Sequence, residues 1–221
     1  MSKPKRIAFV TIGQTPRSDL VPEILSQVPM EVEAVEFGAC DGLDAAAIAA
    51  AAPKPGEHSL ATRLNDGREV VISKVWAEAK LQRIFDRIDA EGFDLLVLLC
   101  TGHFPKLHSR TLMVEAQRVV DGFVDAMTMG TCRLGVMVPL ARQVEEFHVK
   151  GGNGRDVRLV HSSPYGEDRL EAAVGELADR DMIVMHCMGY DEAMRARVSA
   201  VSGRAVVLAR RVVAGAITQL I

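Results

Sequence analysis

Aromatic side chains are scarce, at 5% of the 221 residues, with one Trp, two Tyr and seven Phe. So few rings leave little for stacking bases, and a formal net charge of -3 gives no basic field, so nucleic acid is not expected as a partner. Long apolar runs are missing as well. None approaches the roughly 18 residues of a membrane span, so no membrane partner is expected. Residues 2–6 form a basic lead-in to the apolar stretch 7–12 and imitate the start of a signal peptide. The stretch stops at Gly13, Gln14, Thr15 and Pro16 without a small-residue cleavage site, and a cytoplasmic location is expected. Cysteine is sparse and scattered. Cys40, Cys100, Cys132 and Cys187 show no CxxC or other zinc spacing, so free thiols without a bound metal are the expectation. Gly151, Gly152, Asn153 and Gly154 resemble a phosphate loop only in glycine content, because no Gly-Lys-Ser or Gly-Lys-Thr follows, and they are read as a helix-to-strand turn. No cofactor is expected.

What the chain does contain is one pattern written twice. Phe93-Asp94-Leu95-Leu96-Val97-Leu98-Leu99-Cys100-Thr101-Gly102 and Arg180-Asp181-Met182-Ile183-Val184-Met185-His186-Cys187-Met188-Gly189 each place an Asp before an apolar run, and a Cys, one residue and a Gly after it. Such runs suit strands buried on both faces of a parallel sheet. Ligands bind at the carboxyl ends of such strands, which puts both thiols where chemistry usually sits.

Taken in order, 7–12 reads as a first strand, 17–27 as a helix limited by Pro22, 31–37 as a half-exposed strand, and 44–52 as a helix capped by Asp44. Asn65-Asp66-Gly67 marks a tight hairpin within 60–73, read as an insertion. A helix over 75–91 closes at Gly92. After Cys100 come a loop and a helix over 114–129, a strand at 133–138, a helix at 141–149 and a strand at 156–160. A helix at 167–178, the second Cys-bearing strand, a helix at 191–201, a strand at 205–208 and a helix at 210–220 complete the chain. The alternation indicates α/β architecture with mostly parallel sheets and flanking helices. A weak repeat, with 7–10 followed by Pro16 and Arg17 and 134–138 followed by Pro139 and Arg142, predicts two pseudo-symmetric lobes. The expected division is 1–118 for the first lobe, with the hairpin 60–73 and the C-terminal segment 205–221, and 119–204 for the second.

A lone Cys closing a buried strand is ordinarily a small hydrophobe. Two in matching contexts, each leading toward a helix whose N-terminal amides would stabilise a thiolate, make a pair that can remove a proton from one face of a carbon acid and return one to the other. Cys100 and Cys187 are therefore the candidate catalytic residues, while Cys40 and Cys132 are read as structural. Thr11, Gln14 and Arg17 at the end of the first strand, Thr101 and Gly102 after Cys100, and Met188, Gly189 and Tyr190 after Cys187 are the candidate substrate-binding groups. Among them Arg17 would clamp an anion, and backbone amides at the glycines would approach a carboxylate. His103 adjoins the site, His186 is read as a sheet-face residue, and Glu145 and Glu146 as solvated surface.

Thr11-Ile12-Gly13-Gln14-Thr15-Pro16-Arg17-Ser18-Asp19, Gly38-Ala39-Cys40-Asp41-Gly42-Leu43, Leu64-Asn65-Asp66-Gly67 and Cys187-Met188-Gly189-Tyr190 together resemble the AroM-like family over essentially the whole chain. That family looks like a branch of the aspartate/glutamate/hydantoin racemase superfamily. The resemblance implies a two-lobed, cofactor-independent fold with a catalytic pair of cysteines at the positions of Cys100 and Cys187. Typical racemases of the superfamily continue with Asn-Thr and Thr-His after the two cysteines, whereas Thr101-Gly102 and Met188-Gly189 stand here. The groups that would hold an amino acid are changed, which leaves isomerisation or decarboxylation of a small carboxylic acid open beside racemisation. The alternative is a non-catalytic protein of the same fold that binds or senses a small anion. A symmetric homodimer is the base-rate expectation.

Overall fold

In the computed structural model, which describes residues 3–128, 132–146 and 156–221, the first half builds one parallel sheet and a hairpin. It comprises β1 (Lys5–Thr11), α1 (Val21–Leu25), β2 (Val32–Gly38), α2 (Ala45–Ala50), β3 (Ser59–Arg63), β4 (Glu69–Ser73), α3 (Lys74–Glu91), β5 (Leu95–Leu98), β6 (Met113–Glu115) and α4 (Ala116–Met127). The second half contains β7 (Leu134–Val138), α5 (Gln143–Glu146), β8 (Val157–His161), α6 (Leu170–Gly175), β9 (Met182–Met185), α7 (Glu192–Ser202), β10 (Ala205–Leu208) and α8 (Ala209–Thr218). The turn expected at Gly151–Gly154 lies outside the described residues, as does the end of the helix expected at 141–149.

The sheets run β2-β1-β5-β6 and β10-β9-β7-β8, all pairs parallel, and β3 with β4 is the one antiparallel pair among the described residues. Matching β1, β2, β5 and β6 with β7, β8, β9 and β10 superposes the two strand orders, so the weak sequence repeat is a topological one. Among the described residues the hairpin has no counterpart in the second half, and α7, between β9 and β10, has none in the first. The C-terminal segment 205–221 divides between the halves: β10 pairs with β9 in the second sheet, while α8 packs on α4 and α1. α4 spans the expected boundary at 118/119.

Strand alternation sorts the core into three layers. Ile7 and Phe9 of β1, Leu95 and Val97 of β5, Val136 of β7 and Val184 of β9 face a shared core with α1, α4 and α8 between the sheets. Ala8, Val10, Leu96 and Leu98 turn the other way, onto Leu81, Phe85 and Ile88 of α3. Ile183 and Met185 likewise turn toward Val174 of α6 and Val198 of α7. This two-sided burial explains why the Cys-bearing strands read as continuous apolar runs.

Local chemistry sets the ends. Asp44 accepts from the Ala47 amide, Ser73 from Trp76 and Asp191 from Met194, each satisfying an otherwise unpaired N–H of a first helical turn. α1 is much shorter than the helix expected over 17–27, because Pro16 and Pro22 keep residues 17–20 in a turn. A short strand, β6, precedes α4 where only a helix was expected, since Met113–Glu115 pair with β5. α6 is also shorter than its expected 167–178.

Candidate active site

The carboxyl ends of β1, β5, β7 and β9 converge on a cavity of about 310 Å³. Thr11 closes β1, Leu99, Cys100 and Thr101 continue β5, Val138 and Pro139 end β7, and His186, Cys187 and Met188 continue β9. The hairpin supplies a wall through Ser59, Leu60, Ala61 and Thr62. The position follows from topology, because loops leaving parallel strands are free to diverge while the strands themselves fix their starting points.

Cys100 and Cys187 both line this cavity and are each 8% exposed. Each sulfur receives the amide of the glycine two residues on, Gly102 N–H at 3.3 Å from Cys100 Sγ and Gly189 N–H at 3.4 Å from Cys187 Sγ. The Thr101 hydroxyl donates to the His186 carbonyl at 3.1 Å, tying one Cys-bearing strand end to the other. Burial nevertheless pushes the Cys100 thiol up to about 12, against the Gly102 amide, with Cys187 and Glu115 adding to the rise and Arg17 opposing it. Burial also raises Cys187, opposed by the Gly189 amide and by the charges of Arg17 and Arg210. The expected lowering by helix amides does not occur: β5 is followed by a loop rather than a helix, and one amide does not outweigh desolvation.

Arg17 is buried and reaches the cavity from the turn before α1. Its Nε and Nη2 donate to the two oxygens of Asp19 at 2.9 and 2.8 Å, Nη1 donates to Thr11 Oγ1 at 3.1 Å, and Nη2 also donates to the Tyr165 hydroxyl at 3.2 Å. Burial works against both charges of this pair, but the bonds between them outweigh it, so Asp19 is lowered and Arg17 is held fully protonated. Arg63 joins Asp19 at 3.3 Å, and the Arg17 amide donates to Glu36 at 2.6 Å. Among the described residues no group accepts the hydroxyl proton of Thr11 or of Tyr165, so both can donate to a ligand beside the remaining Arg17 N–H.

The other expected binding residues divide. Thr101, Gly102 and Met188 line the cavity. Gly189 lies behind it, and its closeness to Tyr165 is why no side chain fits there, since a Cβ would overlap the phenol and the Pro164 ring. Gln14 is not part of the lining: its side chain accepts from the Asn65 amide at 2.9 Å and donates to the Cys40 carbonyl at 3.4 Å, fixing the hairpin. Tyr190 is wholly buried, with its hydroxyl on the Ser162 carbonyl at 2.5 Å, and acts as a core strut. Cys40 is buried too, donating to the Ile12 carbonyl at 3.3 Å, and burial pushes its thiol up to about 11.

His103 and His186 both line the cavity, and His186 Nε2 lies 3.3 Å from Asp121 of α4. Glu146, expected at the surface, instead lines the cavity, because it accepts from the Ser59 amide at 3.1 Å and lies 3.6 Å from His58. Gln143 donates to the Ser59 carbonyl at 3.0 Å, and Ser163 donates to Glu69, so the second half grips the hairpin at several points. Sequence reasoning missed Tyr165, Lys74, Gln117 and the hairpin wall. The hairpin motif at 64–67, part of the family resemblance, was the one available signal. Among the described residues no group of three or more His, Cys, Asp or Glu is placed to hold a metal ion.

No curated protein matches the chain by sequence. Similar structures include an aspartate racemase from Picrophilus torridus, at 10% identity and a TM-score of 0.62, covering 97% of this chain and 93% of that one. A maleate cis-trans isomerase from Nocardia farcinica, at 14% identity and a TM-score of 0.60, covers 97% and 91%. An arylmalonate decarboxylase, at 14% identity and a TM-score of 0.58, also covers 97% and 91%. At such identities the likeness shows a shared fold. A family model described as AroM protein matches residues 7–221, and the chain therefore belongs to the AroM family.

Proposed function

We propose that the chain is a cofactor-independent racemase, isomerase or decarboxylase of a small carboxylic acid, with Cys100 and Cys187 as paired acid and base. The observation that carries this reading is the meeting of two Cys-x-Gly strand ends, one from each sheet, in one cavity with the buried Arg17. The substrate carboxylate binds the remaining Arg17 N–H and the hydroxyls of Thr11 and Tyr165. One cysteine, as thiolate, takes the proton from the α-carbon, and the C–H electron pair moves into the carboxylate to form an enediolate. The second cysteine, as thiol, returns a proton to the opposite face and keeps the negative charge. In decarboxylation, CO₂ leaves, its bonding pair stays on the α-carbon, and a single thiol supplies the proton. Each donor aimed at the growing oxyanion is worth about 3 kcal/mol of barrier in a dry site. The shared fold of a racemase, an isomerase and a decarboxylase supports the reaction class.

The lining favours an acid with an apolar body. Most of the lining surface is apolar, with Ile12, Leu60, Leu99, Val138, Pro139 and Met188 among its contributors. The lining carboxylate Glu146 is engaged by Ser59 and His58, and Asp19 by Arg17, so neither is presented to a substrate ammonium. Incubation of apolar 2-substituted carboxylates and amino acids in D₂O, followed by NMR at the α-carbon, tests the reading. Deuterium should enter an apolar acid, and the rate should fall at least about a hundredfold in C100S and in C187S. Undiminished exchange in both variants would sink the paired-cysteine mechanism.

The raised Cys100 thiol favours one competing reading, a binder with inert thiols. A binder would hold the same acids in calorimetry and show no deuterium entry at any pH.

A further inference from the structure

The two halves that deliver the cysteines differ at one matched position. Gln117 is the second residue of α4, which follows β6, and Arg210 is the second residue of α8, which follows β10, the strand equivalent to β6. Gln117 binds Asp121 of its own helix at 2.6 Å. Arg210 is wholly buried and does something different. Its Nε and Nη2 donate to the Met188 carbonyl at 3.3 and 3.0 Å, and Nη2 also donates to the Gly189 carbonyl at 3.1 Å. Its Nη1 donates to the Asp19 carbonyl at 3.0 Å and to Glu23 at 2.5 Å.

We propose that Arg210 is a positioning residue that makes Cys187, rather than Cys100, the proton-accepting thiol. In a trans peptide the carbonyl and the following N–H point to opposite sides. Holding the Met188 carbonyl toward α8 therefore turns the Gly189 N–H the other way, onto Cys187 Sγ at 3.4 Å. Holding the Gly189 carbonyl fixes the next peptide too, whose Tyr190 N–H donates to the Cys187 carbonyl at 3.4 Å. The guanidinium thus locks the donor to one sulfur and places a buried positive charge behind it. Through the Asp19 carbonyl it also braces the residue that orients Arg17. Cys100 has its own Gly102 donor, and a carboxylate raises each thiol, Glu115 that of Cys100 and Glu69 that of Cys187; Arg17 opposes both, so Arg210, which acts on Cys187 alone, is the charge that separates them. The repeat places two like thiols, and Arg210 makes them unlike.

This proposal rests on the paired-cysteine reading, and its test separates the two. The probe is iodoacetamide, with alkylation of each cysteine followed by peptide mass spectrometry from pH 7 to 12.5 in the wild type, in R210Q and in E23Q. R210Q gives the second half the residue that the first half carries. In the wild type Cys187 should titrate before Cys100. In R210Q the Cys187 midpoint should rise by about one pH unit or more, the worth of a hydrogen bond to a charged group, while the Cys100 midpoint stays or falls as its charged neighbour is lost. E23Q removes only the ion pair at Nη1, so it should lower the melting temperature and leave the order of titration intact.

An unmoved Cys187 midpoint in R210Q, equal rises at both cysteines, or an E23Q shift as large as that of R210Q would overturn the proposal. If R210Q does not fold, the wild type decides: the Arg210 side-chain N–H resonances should shift through the Cys187 titration and not through that of Cys100, and signals indifferent to Cys187 would overturn it. Loss of α-deuterium exchange in C187S with an unmoved R210Q midpoint leaves the catalytic reading standing and removes Arg210 from it. The reverse pattern does the opposite.

Discussion

Gly189→Ala is the substitution whose consequence the structure fixes most tightly. Gly189 does not have a positive φ, so alanine suffers no backbone penalty there. Taken alone, the change would stabilise the protein by about 0.4–1 kcal/mol through the unfolded chain. The opposing effect is steric. The new methyl would overlap the Tyr165 phenol and the Pro164 ring, and overfilling a packed site costs about 1–3 kcal/mol. Displacing Tyr165 also breaks its bond from Arg17, worth about 1 kcal/mol. The steric term wins, with a net loss of about 1–3 kcal/mol, and for a chain of this size each kcal/mol lowers the melting temperature by about 2–4 °C. A double-mutant cycle with Tyr165→Ala isolates the cause. Once the phenol is gone the methyl loses its worst overlap and meets only the Pro164 ring, so the double variant should be at least about 1 kcal/mol more stable than the sum of the single losses predicts. Denaturant titration of the four proteins measures this. Additivity within about 0.5 kcal/mol, or a G189A protein as stable as the wild type, would refute the steric account.

Arg17→Lys keeps the charge but loses the fork on Asp19, and it should weaken carboxylate binding about tenfold to a hundredfold in calorimetry; unchanged affinity would remove Arg17 from the site. The folded Cys100 thiol holds its proton to about 12 against an ordinary 9.0, so above pH 9 the unfolded chain binds fewer protons than the folded one and stability falls as pH rises, by about 1.4 kcal/mol per unit. C100S lacks this component, so its denaturation curve should approach or overtake that of the wild type between pH 9 and 11. Asp89 accepts from Ser109 Oγ, the Arg110 amide and both the amide and hydroxyl of Thr111, which holds its carboxyl well below the usual range. D89A should loosen the segment 99–112, seen as faster proteolytic cleavage there, and the wild type should lose the same restraint only as pH falls below the ordinary carboxylate range.

The fold was legible where burial leaves a simple trace. β5 and β9 are covered on both faces, so their runs are continuously apolar, and Asp44, Gly67 and Gly92 mark ends by chemistry that acts within a few residues. The misreadings lie where pairing at a distance decides. Met113–Glu115 run straight into a helix, and only their register with Leu96–Leu98 makes them a strand. Residues 17–20 carry helix-compatible side chains, but Pro22 has no N–H to donate to the Ser18 carbonyl, so the helix begins only at Val21.

The site was legible in the same proportion. Cys100, Cys187 and Arg17 announce themselves by residue type at strand ends, and all three meet in the cavity. Gln14 and Tyr190 occupy the same motifs yet point into the scaffold, because membership of a motif does not say which way a side chain turns. Tyr165 and Glu146 reach the cavity only through partners 148 and 87 residues away, distances at which no spacing rule applies. These late arrivals also make the cavity asymmetric. The repeated half contributes a strand end, a thiol and a glycine amide, and two copies of that alone would hold two equivalent thiols with no anchor for an acid. Arg17 and the hairpin come from one half, Tyr165 and Arg210 from the other, and Arg142, the counterpart of Arg17 in the repeat, does not line the cavity. On the proposed paired-cysteine reading, the two thiols therefore differ through residues that the repeat does not share.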